Sequence, residues 1–200
     1  MAIKTVIFDL DGTITMPFLD FDAIRQEMGL LADSGSILDL MEQMAPAERI
    51  LAEEVLLRHE TSAVTHSVLN EGASATLAAL RQAGINIGVL TRNKRINVEG
   101  VARKHNLRFD AIVDREDGPA KPHAFGVLAL CDHFGTLPTQ TLMVGDFLDD
   151  LLSARAANAV AVLLKNSPKA QNYAKYADYV ITSLDEVLGI IDNIGHNAKG

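Results

Sequence analysis

Val6-Ile7-Phe8-Asp9-Leu10-Asp11-Gly12-Thr13-Ile14 is the stretch from which the fold is read. The apolar run from Ile3 to Phe8 has the pattern of a short buried strand. It ends in two carboxylates and then Gly12, which takes turn geometry that other residues adopt only with strain. In α/β sheets ligands bind beyond the carboxyl ends of the strands, so Asp9 and Asp11 stand where such folds do chemistry. Side chains alternate on extended backbone, so the two acids lean the same way. Two carboxylates that close need a positive counterpart or a shared proton. The rest of the chain is read for that counterpart.

Working outward, the pattern after Ile14 turns helical. Phe18 to Gly29 has apolar positions at helical spacing (Phe21, Ile24, Met28) and a stop at the glycine. Ser34 or Ser36 is placed to cap a second helix through Ile37, Leu38, Met41 and Met44. Pro46 suits the first turn of a third, through Ile50, Leu51, Val55 and Leu57. No strand signal appears between Met16 and Leu69. From Glu71 strands and helices alternate. Strands are expected at Ile85–Leu90, Ala111–Val113, Thr141–Val144, Val160–Leu164 and Tyr179–Thr182, with helices between them and one at the C-terminus. This order implies a Rossmann-like parallel α/β sheet flanked by helices, with right-handed crossovers. An all-helical cap is inserted after the first strand. The expected domains are a catalytic core of residues 1–15 and 71–200 and a cap of residues 16–70.

Composition bounds the function. The 200 residues carry a net charge of −8 and no Trp, which argues against a nucleic-acid or anionic-membrane binder. Eleven acids against three arginines fall between Ile14 and Leu80, so the whole acidic excess lies there, read as solvated helix faces. Cys131 is the one cysteine, leaving no disulfide framework, and its apolar helical setting suggests a buried, inert thiol. With no signal peptide and no membrane-length apolar run, a soluble cytoplasmic protein is expected.

The strand ends then supply a kit: Asp9 and Asp11, Thr91, Lys121, and Asp146, Asp149 and Asp150. Carboxylates converging at one sheet edge call for a hard cation, and oxygen-only donors favour Mg²⁺ over zinc. A hydroxyl, backbone N–H groups and one lysine suit a phosphoryl group. Asp9 at the strand tip can act as nucleophile, since an aspartyl-phosphate divides one hard displacement into two easier ones. Each element also has a plainer structural reading: Asp146, Asp149 or Thr91 as helix caps, Lys121 as a surface residue.

In this order, Asp9-Leu10-Asp11-Gly12-Thr13, Thr91, Lys121-Pro122 and Gly145-Asp146-Phe147-Leu148-Asp149-Asp150 resemble the four motifs of the haloacid dehalogenase superfamily in its phosphatase branch. The helical insertion is similar to the cap of the phosphoglycolate phosphatase and β-phosphoglucomutase relatives. The resemblance implies Asp9 as nucleophile and Asp11 as the acid that protonates the leaving oxygen and then activates water. It implies Thr91 and Lys121 as catalytic phosphate-binding residues, with Gly12, Thr13, Arg92 and Asn93 lining the phosphate pocket. Mg²⁺ would be held by Asp9, the Asp11 backbone carbonyl, Asp146 and Asp150, and Asp149 occupies a position often taken by Asn. Phe147 replaces a small hydroxyl residue and would tighten the pocket near the metal. His123-Ala124 replaces a second proline.

Asp11 separates the activities. The namesake dehalogenases lack this second acid and need no metal. Phosphonoacetaldehyde hydrolases use a cap lysine, and no lysine occurs from Ile14 to Leu90. A Mg²⁺-dependent phosphatase acting on a small phosphorylated metabolite is the reading the resemblance favours. A phosphomutase would use the same four groups. A receiver-like phosphate-binding module would lack both the insertion and the acid two residues on. The cap is expected to set specificity, and His59 and His66 read as solvated helix residues.

Overall fold

The computed structural model describes residues 2–31 and 34–197. Met1, Ala32, Asp33 and residues 198–200, which fall within the expected domain ranges, lie outside the described residues. The chain divides into two compact units, 1–17 with 68–200 and 18–67.

The larger unit is built on six parallel strands: β1 (Thr5–Phe8), β2 (Asn86–Leu90), β3 (Ala111–Val113), β4 (Thr141–Gly145), β5 (Val160–Leu164) and β6 (Tyr179–Ile181). Their order is β3-β2-β1-β4-β5-β6, the flanked parallel α/β sheet that the alternation implies. All four residues of β1 are buried, as an apolar run covered on both faces must be. β1 pairs with β2 on one side and β4 on the other, so the strand order reverses at the β1–β4 crevice. Among the described residues the helices are α1 (Phe21–Glu27), α2 (Ile37–Glu42), α3 (Pro46–His66), α4 (Ala73–Gln82), α5 (Arg95–His105), α6 (Phe125–Phe134), α7 (Leu148–Ala156) and α8 (Glu186–Asn197). A core cluster joins Ile7, Leu90, Met143 and Leu163 of the sheet to Val127, Leu130 and Cys131 of α6 and Leu151 and Ala154 of α7. Each large apolar side chain there contributes about 1.5–3 kcal/mol by leaving water.

The smaller unit holds α1, α2 and α3 around its own core of Ile24, Ile37, Met41, Ala52 and Leu56. Ser36 caps α2. α1 starts at Phe21, later than Phe18, because Asp20 takes the N-cap and accepts from the N–H groups of Asp22 and Ala23. His59 is half-buried, its Nε2 lying 2.8 Å from Glu27, which Arg58 also pairs, and His66 is exposed and stacks on Phe18.

The two crossings between the units are tied to the sheet side. Met16 N donates to Val68 O at 2.8 Å and Asn70 N to Ile14 O at 3.0 Å, forming a short antiparallel bridge between Thr15 and Leu69. This bridge carried no sequence signal, and it puts the division at 17/18 and 67/68, against the expected 15/16 and 70/71. A 3-10 segment over Ala170–Tyr176 was likewise not expected. Element ends otherwise move by a residue or two. β2 begins at Asn86 because Ile85 N closes the end of α4 on Leu80 O after Gly84 at φ +71°.

Candidate active site

The β1–β4 pairing continues one step beyond Phe8, with Asp9 N donating to Val144 O at 2.9 Å. This register brings the end of β1 beside Gly145 and Asp146 at the end of β4. One oxygen from each of Asp9, Asp146 and Asp150 lies within 4.8 Å of the others. Lys121 Nζ sits 2.6 Å from Asp9 Oδ1 and 2.6 Å from Asp150 Oδ1. Asp9, Lys121 and Asp150 are only 7%, 5% and 1% exposed, so these charges meet almost without water.

Two glycines permit that crowding. A Cβ on Gly12 (φ +89°) would fall on the Asp146 carboxylate, and one on Gly145 would fall on Asp150. Asp150 Oδ2 accepts from the Phe147 N–H at 3.1 Å, so Asp150 braces the start of α7 while its other oxygen holds the lysine. Thus Asp150, not Asp146 or Asp149, satisfies that helix terminus.

The titration of the cluster follows from burial and charge. Burial raises Asp9 well above the ordinary carboxyl value; Lys121 opposes this, and Asp150 and Asp146 add to it. Asp146 is pushed up to about 7, first by burial and then by Asp150, with Lys121 and Asn166 pulling the other way. Burial disfavours the charge on Lys121, but Asp150 and Asp9 outweigh it and hold the ammonium above its ordinary value.

Asp11 is held by a different partner and also feels the Lys121 charge. Its Oδ2 accepts from Asn93 Nδ2 at 2.9 Å, and burial raises its carboxyl while that hydrogen bond lowers it. Thr91 is buried and accepts from Asn93 N at 3.0 Å. Several expected pocket residues also have protein partners. Thr13 donates to Asp146 Oδ1 at 3.4 Å, Asn93 serves Asp11, and Arg92 pairs with Asp149 at 3.1 Å. Phe147 is half exposed and meets Tyr173 edge-on. The Lys121–Pro122 peptide is cis, and His123 Nδ1 accepts from Phe125 N.

Two residues at this turn gave no recognised signal. Asn70 Nδ2 reaches the carbonyls of Gly12, Thr13 and Thr15 at 2.8, 2.9 and 3.1 Å. Asn166, just past β5, donates to the Gly12 carbonyl, and its own Oδ1 is buried with no hydrogen-bond partner among the described residues. Asn166 occupied a strand-end position and was legible as such; Asn70 was not.

The donor set fits a hard divalent cation. It is all oxygen and carries an excess of negative charge over the one lysine, and the unpartnered Asn166 Oδ1 adds an acceptor beside it.

An α/β enzyme with an acidic, lysine-braced centre at the sheet's switch point is the class that fold and site define. The chain belongs to the haloacid dehalogenase-like hydrolases, with residues 3–158 matching that family. It is 30% identical over 201 residues to an uncharacterised hydrolase of Saccharomyces cerevisiae, covering 96% of this chain and 92% of that one. It is 26% identical over 225 residues to the glyceraldehyde 3-phosphate phosphatase of Methanocaldococcus jannaschii, covering 96% and 98%. Its fold is similar to that of the crystal structure of β-phosphoglucomutase from Clostridium difficile, with TM-score 0.76, 20% identity and 96% and 97% covered. The expectation of a phosphatase of this family agrees with relatives named pyrophosphatase, glyceraldehyde 3-phosphate phosphatase and phosphoglycolate phosphatase. No helix among the described residues is long and apolar enough to cross a membrane.

Proposed function

We propose that the protein is a Mg²⁺-dependent phosphatase that hydrolyses a small phosphomonoester through an aspartyl-phosphate on Asp9. The observation that carries this reading is Lys121, held at 2.6 Å from both Asp9 and Asp150 in a nearly dry site. A buried ammonium at the nucleophile opposes the rise that burial gives the Asp9 carboxyl and meets the charge of an arriving phosphate. In the first half-reaction an Asp9 oxygen bonds to phosphorus while the bond to the ester oxygen breaks, and Asp11 gives that oxygen its proton. In the second, Asp11 takes a proton from the water that attacks phosphorus, and the bond to Asp9 breaks. Thr91 is the hydroxyl for a phosphate oxygen. Asp9, Asp146 and the Asp11 backbone carbonyl would hold Mg²⁺, with Asp150 adjoining. The ion would supply positive charge to the phosphoryl oxygens and to the carboxylate cluster.

The relatives named for phosphoglycolate, glyceraldehyde 3-phosphate and pyrophosphate support a small phosphorylated metabolite as substrate. Residues 16–70 are proposed to serve as the substrate-selecting cap. A panel of phosphomonoesters assayed with Mg²⁺ and with EDTA tests the reading. Metal-dependent phosphate release that Asp9→Asn abolishes supports it. If no ester releases phosphate, or if Asp9→Asn remains active, it fails.

A further inference from the structure

We infer that Asn93 and Asn97 form a positioning pair that holds the Asp11 carboxyl by Oδ2 and leaves Oδ1 to serve the leaving group. The inference rests on the reading of Asp11 as general acid. It starts from the orientation of one amide. Asn93 Oδ1 faces the Lys94 N–H at 2.8 Å. A main-chain N–H can only donate, so the atom facing it is the amide oxygen, and the Asn93 NH₂ is turned to Asp11 Oδ2. That NH₂ also can only donate. Its bond to Asp11 engages Oδ2, whereas Oδ1 makes no hydrogen bond among the described residues and is the oxygen left to serve the leaving group.

Asn97 completes the device. Its Nδ2 donates to the same Asn93 Oδ1 at 2.7 Å, so that oxygen is held from two directions. Asn97 lies in α5 near its start, 6% exposed, beside the buried apolar Val98 and Val101. Asparagine there gives up both helix propensity and apolar burial. A hydrogen bond to the residue that touches Asp11 accounts for the choice. Asn93 is anchored as well through its own N–H to Thr91 Oγ1 at 3.0 Å, so the acid and the phosphate-binding hydroxyl are set by one short segment.

The test uses the leaving group. An aryl phosphate with an acidic phenol, such as p-nitrophenyl phosphate, departs without a proton, whereas an alkyl phosphate needs one. kcat/KM covers only the steps through loss of the leaving group, so it isolates the acid role. Asn93→Ala should lower kcat/KM about 100-fold for an alkyl phosphate and less than about 5-fold for the nitrophenyl ester, within the range of acid catalysis. Asn97→Ala should show the same selectivity at about 10-fold, the scale of one hydrogen bond; it carries the test if the Asn93 variant does not fold. Circular dichroism melts establish folding. Asp11→Asn, measured alongside, separates the failures. If Asp11→Asn is selective for the alkyl ester and the two asparagine variants lose both esters equally, the pair is only structural and the inference is overturned. If Asp11→Asn itself affects both esters equally, the general-acid reading falls and the inference with it.

Discussion

Replacing Asp146 by Asn should make the metal-free protein more stable, and increasingly so as pH rises. Asp146 is pushed up to about 7 from an ordinary 3.8, first by burial and then by the charge of Asp150. The sign follows from which state holds the proton. Below pH 3.8 both native and unfolded chains are protonated and the residue costs nothing. Between 3.8 and 7 the unfolded carboxyl ionises first, so the native state loses ground with each pH unit. Above 7 the cost is complete. A gap of about 3 units at about 1.4 kcal/mol per unit amounts to about 4 kcal/mol at pH 8, and about 2 kcal/mol at pH 5. An asparagine keeps Oδ1 for Thr13 and removes the charge. Urea unfolding in EDTA at both pH values measures the difference. In wild type, added Mg²⁺ should restore the loss, by about 2.7 kcal/mol at a hundred times its Kd, and should leave Asp146→Asn unmoved. A stability difference that is unchanged between pH 5 and 8, or wild type the more stable at pH 8 in EDTA, would refute the reasoning.

Three further outcomes follow from the same geometry. Lys121→Met leaves Asp9 and Asp150 buried and unpaired, so it should cost about 3–5 kcal/mol in metal-free denaturant melts and abolish phosphate release. Gly12→Ala meets both a φ of +89° and the Asp146 carboxylate, so isothermal titration should show Mg²⁺ affinity lowered by about tenfold or more because that ligand must shift, with the fold retained by circular dichroism. Asn70→Ala withdraws the amide that bridges three turn carbonyls and should destabilise by about 1–3 kcal/mol in urea melts.

The strands and the acids at their tips were legible because both are local. Buried parallel strands read as apolar runs, and Asp9 and Asp146 each follow one directly. Partners were not legible, since they depend on which loops meet at the switch point. The contacts of Asn93 to Asp11 and of Arg92 to Asp149 left no local pattern in the sequence. Asn70 and Asn166 come to the Gly12 carbonyl from 58 and 154 residues away, and only the strand-end position of Asn166 was legible in the sequence. The Thr15–Leu69 bridge is a single contact, too short to leave an alternating pattern, so the edge of the helical unit was placed two or three residues off. Ala170–Tyr176 is a short 3-10 segment whose apolar positions, Ala170, Tyr173 and Ala174, were not read as an element.

The central claim is that Asp9 carries the phosphoryl group. In Asp11→Asn, the nitrophenyl ester should still transfer phosphate to Asp9, while the intermediate persists for lack of a base to activate water. Acid quenching of that variant with p-nitrophenyl phosphate and Mg²⁺, followed by peptide mass spectrometry, tests this directly. A phosphoryl adduct is expected on the peptide containing Asp9, absent in EDTA and absent when Asp9→Asn is added. Phosphate release from the wild type with no adduct on Asp9 in the Asp11 variant, or an adduct on another residue, would contradict it.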